Sequence, residues 1–97
     1  MIKIHFLTNQ QKQIVAFSIN GHAGYAVKGS DIVCSAVSFL SLAITNHLVG
    51  ASIQQNENGC LVVTHIPLTI GNIELVETLR DGLIQLAGQY PKHVQIV

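Results

Sequence analysis

Ninety-seven residues, of which 48% are hydrophobic and only 10% charged, make one domain around a single core and exclude a disordered chain, which would be far more polar. A chain of this length buries roughly 60–68% of its unfolded surface. The formal net charge is zero, and the basic residues Lys3, Lys12, Lys28, Arg80 and Lys92 are scattered; phosphate neutralisation needs a basic stripe, so neither direct nucleic-acid binding nor adhesion to an anionic membrane is expected.

Ile2, Ile4 and Phe6 alternate with Lys3 and His5, which predicts a strand. A polar turn follows over residues 8–11. Val15, Phe17 and Ile19 alternate with Ala16 and Ser18, so a second strand should pair with the first as a hairpin. Residues 21–29 read as a loop with three glycines. Ser30 or Asp31 can cap a helix running to about Val49, with Gly50 as its stop. Apolar residues such as Val33, Val37, Phe39, Leu40, Ile44 and Leu48 cover nearly every face of that helix. A helix apolar all round is a buried one, placed at the centre of the monomer or of a dimer.

Residues 52–55 and 60–66 read as two more strands. Asn58-Gly59 between them is a hairpin turn signal, and Pro67 ends the pairing. Residues 72–89 form a second helix, with Leu75, Val76, Leu79, Leu83, Leu86, Ala87 and Tyr90 in one stripe. After Pro91, Val94 and Ile96 suggest a short last strand. The order is ββαββαβ: a single α+β domain over residues 1–97, with an antiparallel or mixed sheet, two helices, and the first helix buried.

The most apolar window, residues 32–50, carries Ser35, Ser38, Ser41, Thr45, Asn46 and His47. It falls at the short limit for a bilayer span of about 20 residues, so no membrane partner is expected. The N-terminus lacks the features of a signal peptide, which places the protein in the cytosol. There Cys34 and Cys60, too few for a disulfide scaffold, should be free thiols. Much apolar content under little charge also suggests a covering partner, and a homodimer is the simplest one.

Chemistry concentrates in residues 21–35. If Asp31 is the N-cap, Cys34 sits at position N3. The helix end is partially positive and its first amides lack intrahelical partners. A thiolate is stabilised there, and the same amides could hold an oxyanion. His22 lies twelve residues earlier, across a loop that Gly24 and Gly29 allow to reverse. On spacing alone, Cys34 is either a small buried hydrophobe or a nucleophile, and His22 either a backbone-bonded loop residue or its base. Asp31 is a cap or a carboxylate partner of His22. An unpaired carboxylate so near would oppose a thiolate, which favours the cap. Ser38, one turn below Cys34, reads as a buried, backbone-bonded hydroxyl, and Cys60 as structural. His5, His22, His47, His65 and His93 are dispersed without metal-ligand spacing, and no phosphate loop or dinucleotide fingerprint occurs, so no metal or cofactor is implied.

Gly21-His22-Ala23, then Gly29, then Asp31-Ile32-Val33-Cys34 with Val37-Ser38, resembles the signature of the bacterial ribosomal-processing cysteine proteases, the Prp family. Ile2-Lys3-Ile4 and the Gly82…Tyr90-Pro91 ending fit the same pattern over the whole chain. Ser35 departs from it, since alanine is usual there, but serine is small enough for a first turn. The resemblance implies a cytosolic, homodimeric cysteine endopeptidase. It would remove the N-terminal extension of a large-subunit ribosomal protein, cutting after aromatic residues. Cys34 would match the nucleophile, His22 the general base, and residues 23–30 a mobile segment that orders around substrate. Two rivals stand beside it: a dimeric module that binds a ribosomal protein tail without cutting it, and a thiol redox or acyl-carrier protein with Cys60 as the partner thiol.

Overall fold

The computed structural model describes residues 1–27, 30–56 and 59–97. Its elements are β1 (Ile2–Thr8), β2 (Ile14–Asn20), α1 (Ile32–Thr45), β3 (Ser52–Asn56), β4 (Cys60–Thr64), α2 (Ile70–Gln89) and β5 (Val94–Ile96). The expected ββαββαβ order is the one observed. The strands form one mixed sheet in the order β3-β4-β2-β1-β5. β1 and β5 pair in parallel, and β1–β2, β2–β4 and β3–β4 are antiparallel.

Local chemistry explains most of the element ends. The Asn9 side chain accepts the Gln11 and Gln13 amides at 2.9 and 3.0 Å. That Asx-type turn closes the β1–β2 hairpin, with a register shift at Leu7/Thr8. The β3–β4 hairpin pairs Asn56 with Cys60 and re-enters β4 through Gly59 at φ +77°, a left-handed conformation that glycine adopts freely. Asn58, the other half of the turn signal, lies outside the described residues. β4 stops at Thr64, three residues before Pro67, because His65 turns left-handed at φ +53°.

Helix α1 ends at Thr45 with Asn46 as its cap, four residues short of the expected Val49. The chain leaves the helix early because Asn72, 2% exposed, fixes it: its side chain bonds the Val49 N–H and carbonyl and the Pro67 carbonyl at 2.9–3.0 Å. α2 begins two residues earlier than expected, at Ile70. Thr69 is its cap, accepting the Asn72 amide at 3.1 Å.

The core lies between the sheet and the two helices. Ile2 and Ile4 from β1, Ile14, Phe17 and Ile19 from β2, and Leu61 and Val63 from β4 meet Val33, Val37 and Ile44 of α1 and Val76, Leu79 and Leu83 of α2. The helices approach closely where Leu40 sits on Gly82, since a Cβ there would come within 2.6 Å of the Leu40 methyl. α1 is buried along one face rather than all round. Val33, Val37, Ser41, Ile44 and Thr45 point inward, while Ile32 and Phe39 are 58% and 79% exposed. Among the described residues, no helix is long and apolar enough to cross a membrane.

Candidate active site

The chain leaves β2 through Gly21 at φ +100°. A Cβ at this position would run into the Met1 carbonyl oxygen, so the close approach to β1 requires glycine. Residues 21–23 are then held one by one. The Gly21 N–H donates to the Gly59 carbonyl at 3.1 Å. The Met1 nitrogen donates to the His22 carbonyl at 2.6 Å. The Ala23 N–H donates to the Cys34 sulfur at 3.1 Å. The exposed His22 ring lies over the β3–β4 turn, where a Cβ on Gly59 would come within 3.0 Å of it.

Asp31 is the N-cap of α1, which places Cys34 at N3 as expected. Its Oδ1 accepts the Val33 and Cys34 amides at 3.0 and 2.9 Å. Its Oδ2 accepts the Tyr25 and Ala26 amides at 3.0 and 3.3 Å. Both oxygens therefore serve the backbone, and the carboxylate is a cap rather than a partner for His22. The Cys34 amide most of all holds the Asp31 carboxyl below its ordinary 3.8; burial opposes this, and the Ala26, Tyr25 and Val33 amides add to it. With four N–H groups around it, the negative charge near the sulfur is compensated. The same saturation corrects one expectation. The Val33 and Cys34 amides are already used by the cap, so they are not free to hold an oxyanion.

Beside the sulfur opens a cleft of about 330 Å³. His22 and Cys34 line it together. Among the described residues no hydrogen bond joins the imidazole to the sulfur; catalytic hydrogen bonds often tighten only in the substrate complex. Ile2, Ile19, Val37 and Leu61 supply apolar wall, the character expected beside the helix N-terminus. Ser38 lines the cleft as well and is exposed, not buried as expected, because this face of α1 looks into open space. Ser41 is deeper, 2% exposed, and its hydroxyl has no partner among the described residues.

Sequence reasoning missed the hairpin wall. Gln55, Asn56, Gly59 and Cys60 line the cleft across from α1. Cys60, read as purely structural, is a free, half-exposed thiol of this wall. Nothing local in residues 55–60 signals this, because β4 reaches the site only by pairing with β2, Asn20 opposite Cys60. Three of the other histidines stay apart: His65 bonds Thr64, His47 the Ala43 carbonyl, and His5 the Val97 carbonyl. Among the described residues, no cluster of three or more His, Cys, Asp or Glu could hold a metal ion. Residues 28 and 29 of the segment expected to be mobile lie outside the described residues.

Solved structures share this arrangement of strands and helices. The essential ribosomal processing protease Prp from S. aureus, in complex with a covalently linked product peptide, superposes with a TM-score of 0.93 at 19% identity, covering 99% of this chain and 97% of that one. The same protease with a substrate peptide gives 0.80 at 18% identity, over 100% and 98% of the two chains. SMU.848 from Streptococcus mutans gives 0.78 at 27% identity, over 99% and 91%. No curated protein matches the chain. The family model for cysteine protease Prp matches residues 1–95. A thiol at the third position of a capped helix, a histidine in the same cleft and a family match along nearly the whole sequence agree: the chain belongs to the cysteine protease Prp family.

Proposed function

We propose that this protein is a cytoplasmic endopeptidase that removes the N-terminal extension of a large-subunit ribosomal protein. The observation that carries the reading is the shared cleft, in which Cys34, held at the start of α1, faces the same space as His22. His22 takes the thiol proton, and the sulfur attacks the carbonyl carbon of the scissile peptide. The tetrahedral intermediate collapses as the C–N bond breaks, and His22 returns the proton to the leaving amine. Water, deprotonated by His22, then hydrolyses the thioester and frees the thiol. The ribosomal substrate follows from the likeness to a ribosomal processing protease. The apolar walls of the cleft support cutting after large apolar or aromatic residues. A surface with five scattered basic residues supports a peptide substrate over nucleic acid.

The working form is a homodimer. Ile32, Ala36, Phe39 and Ala43 recur at helical spacing on the exposed face of α1, an apolar stripe that a second copy would cover. Phe39→Glu should shift sedimentation from dimer to monomer.

Incubation with a tailed ribosomal protein, followed by mass measurement, tests the activity. The wild-type protein should release the extension. Cys34→Ala should leave the substrate intact while melting like the wild type, since one small residue replaces another. Cleavage by Cys34→Ala at a comparable rate removes the cysteine mechanism, and binding without cleavage by the wild type favours a non-catalytic tail-binding module.

A further inference from the structure

His93 is one of five histidines dispersed along the sequence, yet it reaches the site from the far end of the chain. Its Nδ1 lies 2.9 Å from the Ala23 carbonyl oxygen, seventy residues away in sequence. A carbonyl can only accept, so Nδ1 carries the proton. The backbone of His93 is itself fixed. Its N–H donates to the Tyr90 carbonyl, and its carbonyl accepts the Ile2 amide, both at 2.9 Å. The anchor therefore stands on the end of α2 and the start of β1.

The same residue closes an aromatic contact on the following turn of the loop. Tyr25 meets the His93 ring edge-on, with centroids 5.4 Å apart, and the Tyr90 ring edge-on at 5.6 Å. Edge-to-face pairs of this kind are a favoured aromatic geometry. Ala23, 2% exposed, is thus held on its carbonyl side by His93 while its N–H points at the Cys34 sulfur. An N–H aimed at sulfur stabilises negative charge there. His22 is the preceding residue, so whatever fixes Ala23 also fixes the backbone that carries the imidazole.

We propose that His93 is a positioning residue for Cys34, its ring N–H holding the Ala23 carbonyl so that the Ala23 N–H stays on the sulfur. This rests on the reading of Cys34 as the reactive thiol, but its test needs no substrate. Alkylation by iodoacetamide at neutral pH is followed by peptide mapping, which separates the Cys34 label from the Cys60 label. His93→Ala should slow labelling of Cys34 by about tenfold, the weight of one hydrogen bond to a charged group, and leave Cys60 unchanged. His93→Asn, whose amide N–H takes the place of Nδ1–H, should recover most of the rate. In peptide cleavage, kcat should fall in His93→Ala with KM little altered, and recover in His93→Asn. Should His93→Ala fail to fold, Tyr25→Ala removes the ring contacts from the loop side and should slow Cys34 labelling less, in the same direction. Equal Cys34 rates in the wild type and the variants, a His93→Asn rate no better than that of His93→Ala, or a parallel change at Cys60 would each overturn the proposal. A chain that labels as described but cleaves no ribosomal substrate would instead overturn the proposed function.

Discussion

Asp31 and Asn72 are two buried side chains at the starts of the two helices, and each ties its helix to distant backbone. Asp31 gathers four N–H groups from residues 25, 26, 33 and 34. Asn72 joins residues 49 and 67, both donating and accepting. The difference lies in charge. An amide suits a junction that offers one donor and two acceptors, and it does not titrate. A carboxylate suits a junction made only of donors. It also leaves a negative charge one turn from the candidate nucleophile, neutralised by the amides around it. The fold thus places a titratable stitch at its site and a neutral one in its scaffold.

The sharpest way to break this contrast is Asp31→Asn. The side chain keeps its shape, but its amide turns a donor toward a ring of donors. The loop carrying Tyr25 and Ala26 should come loose, and misplacement on the order of an ångström should lower kcat/KM by about hundredfold. Unchanged kinetics would show that the four bonds do not position the site.

Shortening the scaffold stitch should act on stability instead. Asn72→Ala leaves the Val49 and Pro67 groups without their partner, at a cost of about 1–3 kcal/mol, read from denaturant unfolding. Turnover per folded molecule should stay as it was. A kinetic defect without a stability loss would reverse the roles assigned to the two residues.

The pH dependence separates them further. The Asp31 carboxyl is held below its ordinary value, first by the Cys34 amide. Its contribution to stability is therefore fully present above the unfolded carboxylate value of about 3.9. It is lost as pH falls through the lowered folded value, because the unfolded state then binds more protons than the folded one. Acid unfolding of Asp31→Asn should show a shallower slope in that window than the wild type. Asn72→Ala should shift the curve without changing its slope.

The smallest expected effect is that of salt. With five acidic and five basic residues in the chain, recognition of an apolar peptide should leave kcat/KM nearly constant from low to moderate ionic strength. Replacing the apolar residues before the scissile bond by alanine should cost roughly ten- to several-hundred-fold each. A steep salt dependence with indifference to those residues would point to recognition by charge.

The order of the elements and a cap at Ser30 or Asp31 follow from the sequence by itself, and the structure settles on Asp31, with Cys34 at N3. Both inferences from the sequence depend on short-range rules: alternation in Ile2, Ile4 and Phe6, a carboxylate three residues before a cysteine, an apolar repeat from Leu75 to Leu86. The resemblance of residues 21–38 to a known signature added the pairing of His22 with Cys34, which spacing alone left open. Tertiary structure decided the rest. It ended α1 at Thr45 because Asn72 captures Val49. It brought Gly59 and Cys60 to the cleft by laying β4 beside β2, and it set His93 on the Ala23 carbonyl. These contacts span from about twenty to seventy residues and run largely through backbone atoms, which every residue carries. Neither periodicity nor side-chain type at Ala23, Val49 or Gly59 marks them, because what selects the partner there is where the folded sheet and helices place a carbonyl or an N–H.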